Sequence, residues 1–260
     1  MNLTAHHTLP NIRRFFIPDP GMTIADSDLD RADLQVVVWE ADDAMFKHAL
    51  KSGIDVHLMN GIDLENLPMP PLDELVESHA NYPEHKARHK KQRQLAKSWV
   101  HGTNYGGSAA TMARAAKIST AQSELLQRRW FAAHPGIKDW HLRTEQSLLT
   151  TRSVTNRFGF RKVYFDRIEQ LLPQALAWVP QSTVAIYINK VWDAIEDHVP
   201  EAQVLLQVHD SLVWQAPTHI FNPTARKIQE LASKIIVPYD DPLVIPLGVK
   251  SSVKSWGDVD

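Results

Sequence analysis

Two rhythms of apolar and polar positions alternate along this chain. From Ala32 to Leu50 the apolar residues recur every three to four positions, which predicts one helix stopped at Gly53. Ahead of it, Met22, Thr23, Ile24 and Ala25 predict a short buried strand that runs into acid at Asp26, Asp28, Asp30 and Asp33. Residues 60–82, rich in proline at 68, 70 and 71, predict a long connection with a short helix around Leu72 to His79. A basic stretch from His85 to Gln94 leads into a helical pattern that meets Gly102, Gly106 and Gly107, and Ser108 to Ala116 reads as helix again. Thr120 caps a helix to about Ala133, and Pro135 opens another to about Leu149.

The last third changes character. Val154 to Phe165 holds a turn signal, Asn156 to Phe160, between β-favouring residues, and Pro173 or Pro180 introduces an amphipathic helix to about His198. Val204 to Val208 and Leu212 to Trp214 flank His209, Asp210 and Ser211, the pattern of a hairpin with a carboxylate at its polar tip. A helix at about Pro223 to Ile236 and a strand from Leu243 to Val249 close an α+β pattern without internal repeats.

Composition narrows the chemistry. The 260 residues are 43% hydrophobic, enough for a core, and 28 Lys plus Arg against 30 Asp plus Glu give a net charge of −2. Any polyanion site is therefore a local patch. The absence of cysteine excludes disulfides, thiolate metal sites and cysteine nucleophiles, and leaves metal chemistry to carboxylates and histidines. No stretch approaches the ~18 apolar residues that span a bilayer, and Met1 to Phe16 lacks the apolar run of a secretory signal. The expectation is a soluble, cytoplasmic protein with no membrane partner.

Two constellations carry candidate chemistry. Arg93, Lys97, His101 and Tyr105 stand four residues apart, so on a helix they share one face about 18 Å long. Such a ladder suits a triphosphate, with cationic donors for its oxygens and rings for sugar and base; the alternative is a solvated basic face. Gly102 and Gly106 each weaken the helix by up to about 1 kcal/mol, which points to a close approach to the backbone there. Asp28 and Asp210 each lie where a short apolar strand ends or turns, and hard divalent cations such as magnesium are held by a few carboxylates plus substrate phosphates. A helix cap at Asp28 and a turn residue at Asp210 are the competing readings, and spacing leaves both open.

Taken in order, these motifs resemble those of family A DNA polymerases, from about Ile12 to the end of the chain. Asp28, Asp33 and Leu34 resemble motif A, D-x-S-x-x-E-L-R; Arg93, Lys97, Tyr105 and Gly106 resemble motif B, R-x-x-x-K-x-x-x-F-x-x-x-Y-G; Gln207, Val208, His209 and Asp210 resemble motif C. The resemblance implies a right-hand palm, an antiparallel sheet carrying the motif C hairpin, plus mostly helical fingers. Residues 1–35 and 166–260 are expected to form the palm, and residues 36–165 the fingers, with a nucleotide-binding helix at about 88–106. Two magnesium ions are implied on Asp28, Asp210 and the backbone carbonyl of Leu29. The incoming dNTP is implied to meet Arg93, Lys97, His101, Tyr105, Asp33 and His57, the last in Asp55-Val56-His57, with Lys97 joining the two aspartates as a catalytic residue. Primer–template DNA is implied at Arg161, Gln181, His209 and Gln207.

The chain also departs from the pattern. Asp30 and Gln35 replace serine and arginine, Asp33 replaces the glutamate that gates the ribose 2′-hydroxyl, and His101 replaces an aromatic residue. Ser211 replaces the acid after the motif C aspartate, and Ala177 an asparagine four residues before Gln181. Complete family members carry a thumb, the first part of the palm and commonly an exonuclease-like domain before this segment. The expectation is one half of a split polymerase, completed by a separate N-terminal chain. Two rivals stand beside it. A single-subunit RNA polymerase shares His-Asp-Ser but has a small residue at the gate, and a catalytically silent module would bind nucleic acid or a replication partner through Lys86 to Lys97.

Overall fold

The computed structural model describes residues 12–167 and 171–259. Two compact units divide the chain: one is Met1–Ala32 with Gln181–Asp260, the other Asp33–Pro180. The first unit opens with strand β1 (Met22–Leu29), which outruns the predicted Met22 to Ala25 because Asp26 and Asp28 lie inside the strand. Strand side chains alternate faces, so Thr23, Ala25, Ser27 and Leu29 are buried on one side while Asp26 and Asp28 share the other.

In the second unit, the single helix expected from Ala32 to Leu50 is two, α1 (Ala32–Ala41) and α2 (Ala44–Lys51). Asp42 adopts a left-handed φ of 51°, and Asp43 caps the new helix by accepting the Phe46 N–H at 2.9 Å. Aspartate tolerates both positions, and this local chemistry overrides a continuous apolar rhythm. Helix α3 (Val56–Leu64), capped by Asp55, occupies the start of the expected connection, and the prolines leave only a 3-10 turn at Leu72–Leu75. The basic stretch divides at His89 into α4 (Tyr82–Arg88) and α5 (Lys90–Asn104). Gly61 is the crossing point of α3 and α5: a Cβ there would come within 2.5 Å of the Gln92 backbone.

Helices α6 (Ala109–Ala116), α7 (Thr120–Ala133) and α8 (Pro135–Thr151) follow, then a small hairpin of β2 (Ser153–Thr155) and β3 (Arg161–Val163). The Asn156 side chain shapes its turn by accepting the N–H groups of Phe158 and Phe160, each at 3.1 Å. Helix α9 (Leu172–His198) has Pro173 in its first turn and carries Pro180 inside. Leu171, Ala175 and Val179 pack with Leu148, Val154 and Tyr164. That apolar cluster places residues 171–180 in the second unit, whereas the sequence reading grouped residues 166–260 together.

The first unit resumes at Gln181 and builds an antiparallel sheet of order β4-β5-β1-β6, with β4 (Gln203–Val208), β5 (Ser211–Pro217) and β6 (Leu247–Ser252). β5 is buried from Ser211 to Ala216, and Trp214 donates through its indole N–H to Ser27 Oγ at 2.8 Å. Helix α10 (Phe221–Ser233) is fastened by the Trp214–Phe221 ring stack and by the Tyr187 hydroxyl, which donates toward the Ala232 carbonyl at 3.0 Å. The closing strand lies at Leu247–Ser252 instead of Leu243 to Val249. Pro246 lacks an N–H, and Leu243 forms only an isolated bridge with Val237. Among the described residues, no helix is long and apolar enough to cross a membrane.

Candidate functional site

In the first unit the sheet register brings two distant acids together. Asp28 lies opposite Ser211, and the Leu29 N–H donates to the Asp210 carbonyl at 3.1 Å. Neighbours at this offset lie within roughly 8 Å at Cα. His209 and Asp210 form the two-residue turn of the β4–β5 hairpin, with His209 exposed at a φ of 56°. An open cleft of about 440 Å³ lies over this end of the sheet, lined by Asp26, Asp28, Asp30, His209, Asp210 and Lys250 among others.

Charge is distributed unevenly around that cleft. Arg31 Nε donates to both oxygens of Asp30, at 2.9 and 3.1 Å. Asp26 accepts the Trp256 indole N–H at 2.7 Å and lies 3.6 Å from Arg13, whose guanidinium covers the Trp256 ring. Asp28 and Asp210 form no ion pair among the described residues. Desolvation at the cleft wall, then the negative charges of Asp210, Asp26 and Asp30, push the Asp28 carboxyl up to about 6, with Lys250 opposing. The Ser211 hydroxyl is turned into the hairpin, donating to the Val208 carbonyl at 3.2 Å.

This donor set fits a hard divalent cation of the magnesium class. Two neighbouring carboxylates carry mutually repelling charge, and Gly248, opposite Asp28, puts no side chain against it. Among the described residues no group of three or more His, Asp or Glu side chains surrounds a metal position, so water or substrate oxygens would complete the coordination.

In the second unit, α5 presents the four-residue ladder. Lys97 and His101 are exposed, and the His101 ring centroid lies 4.5 Å from that of Tyr105. The Tyr105 hydroxyl donates to Asp33 Oδ2 at 2.9 Å; burial and then the Asp33 charge raise the phenol far above its ordinary value. The helix ends where Gly106, at a φ of 75°, and Gly107 return their N–H groups to the carbonyls of Thr103 and Gly102, at 3.0 and 2.8 Å. The close approach expected at Gly102 is made by the chain itself, since a Cβ there would overlap the Met112 side chain.

Arg93 lies less open. Its Nε donates to Asp55 Oδ2 at 2.6 Å, and the Tyr82 hydroxyl donates to the same oxygen at 2.8 Å. Asp55 Oδ1 accepts the N–H groups of His57 and Leu58, each at 3.1 Å. Burial alone would raise the Asp55 carboxyl, but the hydrogen bonds from Arg93, Tyr82 and Leu58 outweigh it and hold the pKa below the ordinary value.

The remaining predicted residues lie on separate elements of the two units. His57 is half-buried on the first turn of α3, and Arg161 is exposed on β3 with its Nε bonded to Ser153 Oγ at 2.9 Å. Gln181 is exposed on the part of α9 in the first unit, and Ala177 half-buried on its earlier part; Gln207 is half-buried on β4 opposite Leu212. Asp55 and Tyr82 escaped the sequence reading. An aspartate directly before Val56 and His57 is a cap signal, and it was legible for Asp55.

The sequence profile of DNA polymerase family A matches residues 3–258. DNA polymerase I of Chloroflexus aurantiacus is 27% identical over 259 residues, covering 95% of this chain and 25% of that protein. The DNA polymerase of Mycobacterium phage D29 is 25% identical over 256 residues, covering 97% of this chain and 38% of that protein. The POL domain of Pol1 from M. smegmatis, solved in complex with DNA primer-template and dNTP, superposes with a TM-score of 0.78 at 21% identity, covering 98% of this chain and 44% of that one. The chain thus spans less than half the length of each of these three relatives.

Proposed function

Because this chain belongs to DNA polymerase family A, we propose that it is the catalytic segment of a template-directed DNA polymerase, which adds dNTPs to a primer 3′-hydroxyl. The observation that carries this reading is the meeting of Asp28 and Asp210 at one end of the β1–β5 pair, on an open acidic cleft. The palm role falls to the first unit and the fingers role to the second.

Asp28 and Asp210, with the Leu29 carbonyl, are the residues that would hold two magnesium ions. Bound there, such ions supply Lewis-acid stabilisation to the attacking oxygen and the departing pyrophosphate. The primer hydroxyl gives up its proton to water, and its oxygen bonds to the α-phosphorus as the bond to the pyrophosphate oxygen breaks in line. Lys97, exposed on α5, neutralises the triphosphate and gives a proton to the leaving pyrophosphate. Arg93 and His57 hold the outer phosphate oxygens. Tyr105 packs against the nascent base pair and His101 lines the sugar. Asp33, fixed by the Tyr105 hydroxyl, stands at the 2′ position of the sugar. Arg161, Gln181, Gln207 and His209 contact template and primer.

That carboxylate at the sugar position favours the DNA reading over the RNA polymerase one, and competition between dNTPs and rNTPs on one primed template tests the choice. We further assign the thumb and the remaining palm to a separate N-terminal chain. The reaction itself is tested with Asp210→Asn in the assembled polymerase, scored by primer extension. Extension is expected to fall by about 10³-fold or more while primer–template affinity stays near wild type. A variant that extends at the wild-type rate removes Asp210 from the chemistry.

A further inference from the structure

One buried carboxylate touches both residues assigned to the outer phosphates. Asp55 is 2% exposed and uses its two oxygens on different tasks. Oδ1 accepts the His57 and Leu58 N–H groups and so fixes the first turn of α3. Oδ2 takes Arg93 Nε at 2.6 Å, on α5, and the Tyr82 hydroxyl at 2.8 Å, on α4. Three helices thus converge on a single side chain.

A guanidinium has five N–H donors in a rigid fork, and Asp55 engages Nε. The terminal nitrogens remain to carry the hydrogen bonds that an anion needs. Arg93 cannot swing freely while its Nε is held, and Gly61 lets α3 lie directly against the Gln92 and Arg93 backbone, which fixes the distance between the helices. We infer that Asp55 is a positioning residue that holds Arg93 against the first turn of α3, which carries His57, to form one anion-binding corner for the outer phosphates of a deoxynucleoside triphosphate. The inference rests on the polymerase reading and adds to it the residue that organises the corner. By charge alone a carboxylate there opposes a phosphate, so its contribution is orientation: it sets the donors before the ligand arrives.

A cap without any role in binding is the competing account, and conservative variants separate the two. Asparagine and serine cap helices about as well as aspartate. Asp55→Asn keeps an acceptor but removes the ion pair, and Asp55→Ser is too short to reach Arg93. The full chain is titrated with dATP and magnesium, and separately with inorganic tripolyphosphate and magnesium, following tryptophan fluorescence. Both variants are expected to bind each probe about tenfold more weakly than wild type, while in an Arg93→Ala background the further loss is less than about twofold. Should Asp55→Asn fail to melt cooperatively, Asp55→Ser decides the matter. Variants that bind within about twofold of wild type, or that lose the same factor with and without Arg93, overturn the inference alone. A wild-type chain that binds neither probe overturns the polymerase reading along with it.

Discussion

Asp28 must carry a negative charge where its surroundings oppose one. Its carboxyl is raised from an ordinary 3.8 to about 6, so between those values the folded chain binds a proton that the unfolded chain has released. The strain on stability is therefore absent below about 3.8, grows as pH rises from there to about 6, and is fully present at neutrality. Asp28→Asn removes it. The variant is expected to melt at a higher temperature than wild type at pH 7.5, with the gap closing toward pH 4, and to extend no primer in the assembled polymerase. Paired thermal melts across that range check the sign. An equal or lower melting temperature at pH 7.5 contradicts the charge crowding.

At the scale of elements, the two candidate clusters owe their form to backbone contacts between chain neighbours far apart in sequence. Gly61→Ala pushes a methyl into the Gln92 backbone and separates α3 from α5. It is expected to cost about 1–3 kcal/mol, visible as a lower denaturant midpoint at unchanged m-value. How far such contacts can be read beforehand depends on their range. The hairpin was legible because Leu212 to Trp214 is an uninterrupted apolar run beside a polar tip. The full length of β1 was not, since Asp26 and Asp28 make half its face read as loop. The break at Asp42 was masked by apolar spacing that continues across it. The Arg93 ladder was visible from its four-residue step, but its tie to Asp55 joins residues 38 apart, and no local pattern encodes that pairing.

Considered whole, the chain has too little positive charge to grip DNA by electrostatics alone. With 28 basic against 30 acidic side chains there is no global attraction to phosphates, and a grip on duplex comes from local patches or from additional surface. Mixing this chain with an N-terminal polymerase fragment that supplies the thumb is therefore expected to raise extension of a primed template from background to a readily measured rate. Extension by the chain alone, unchanged on mixing, would remove the proposed partner.

The indole N–H of Trp214 reaches Ser27 across 187 residues of sequence, in the same strand pair that seats Asp28 beside Asp210. During synthesis on the ribosome, the second unit, Asp33–Pro180, emerges in full before either β4 or β5 exists, so it is free to fold first. Any polypeptide released early, before Pro217, carries the first acid without a completed partner strand. A chain ended there leaves Asp28 without the finished strand that seats it beside Asp210.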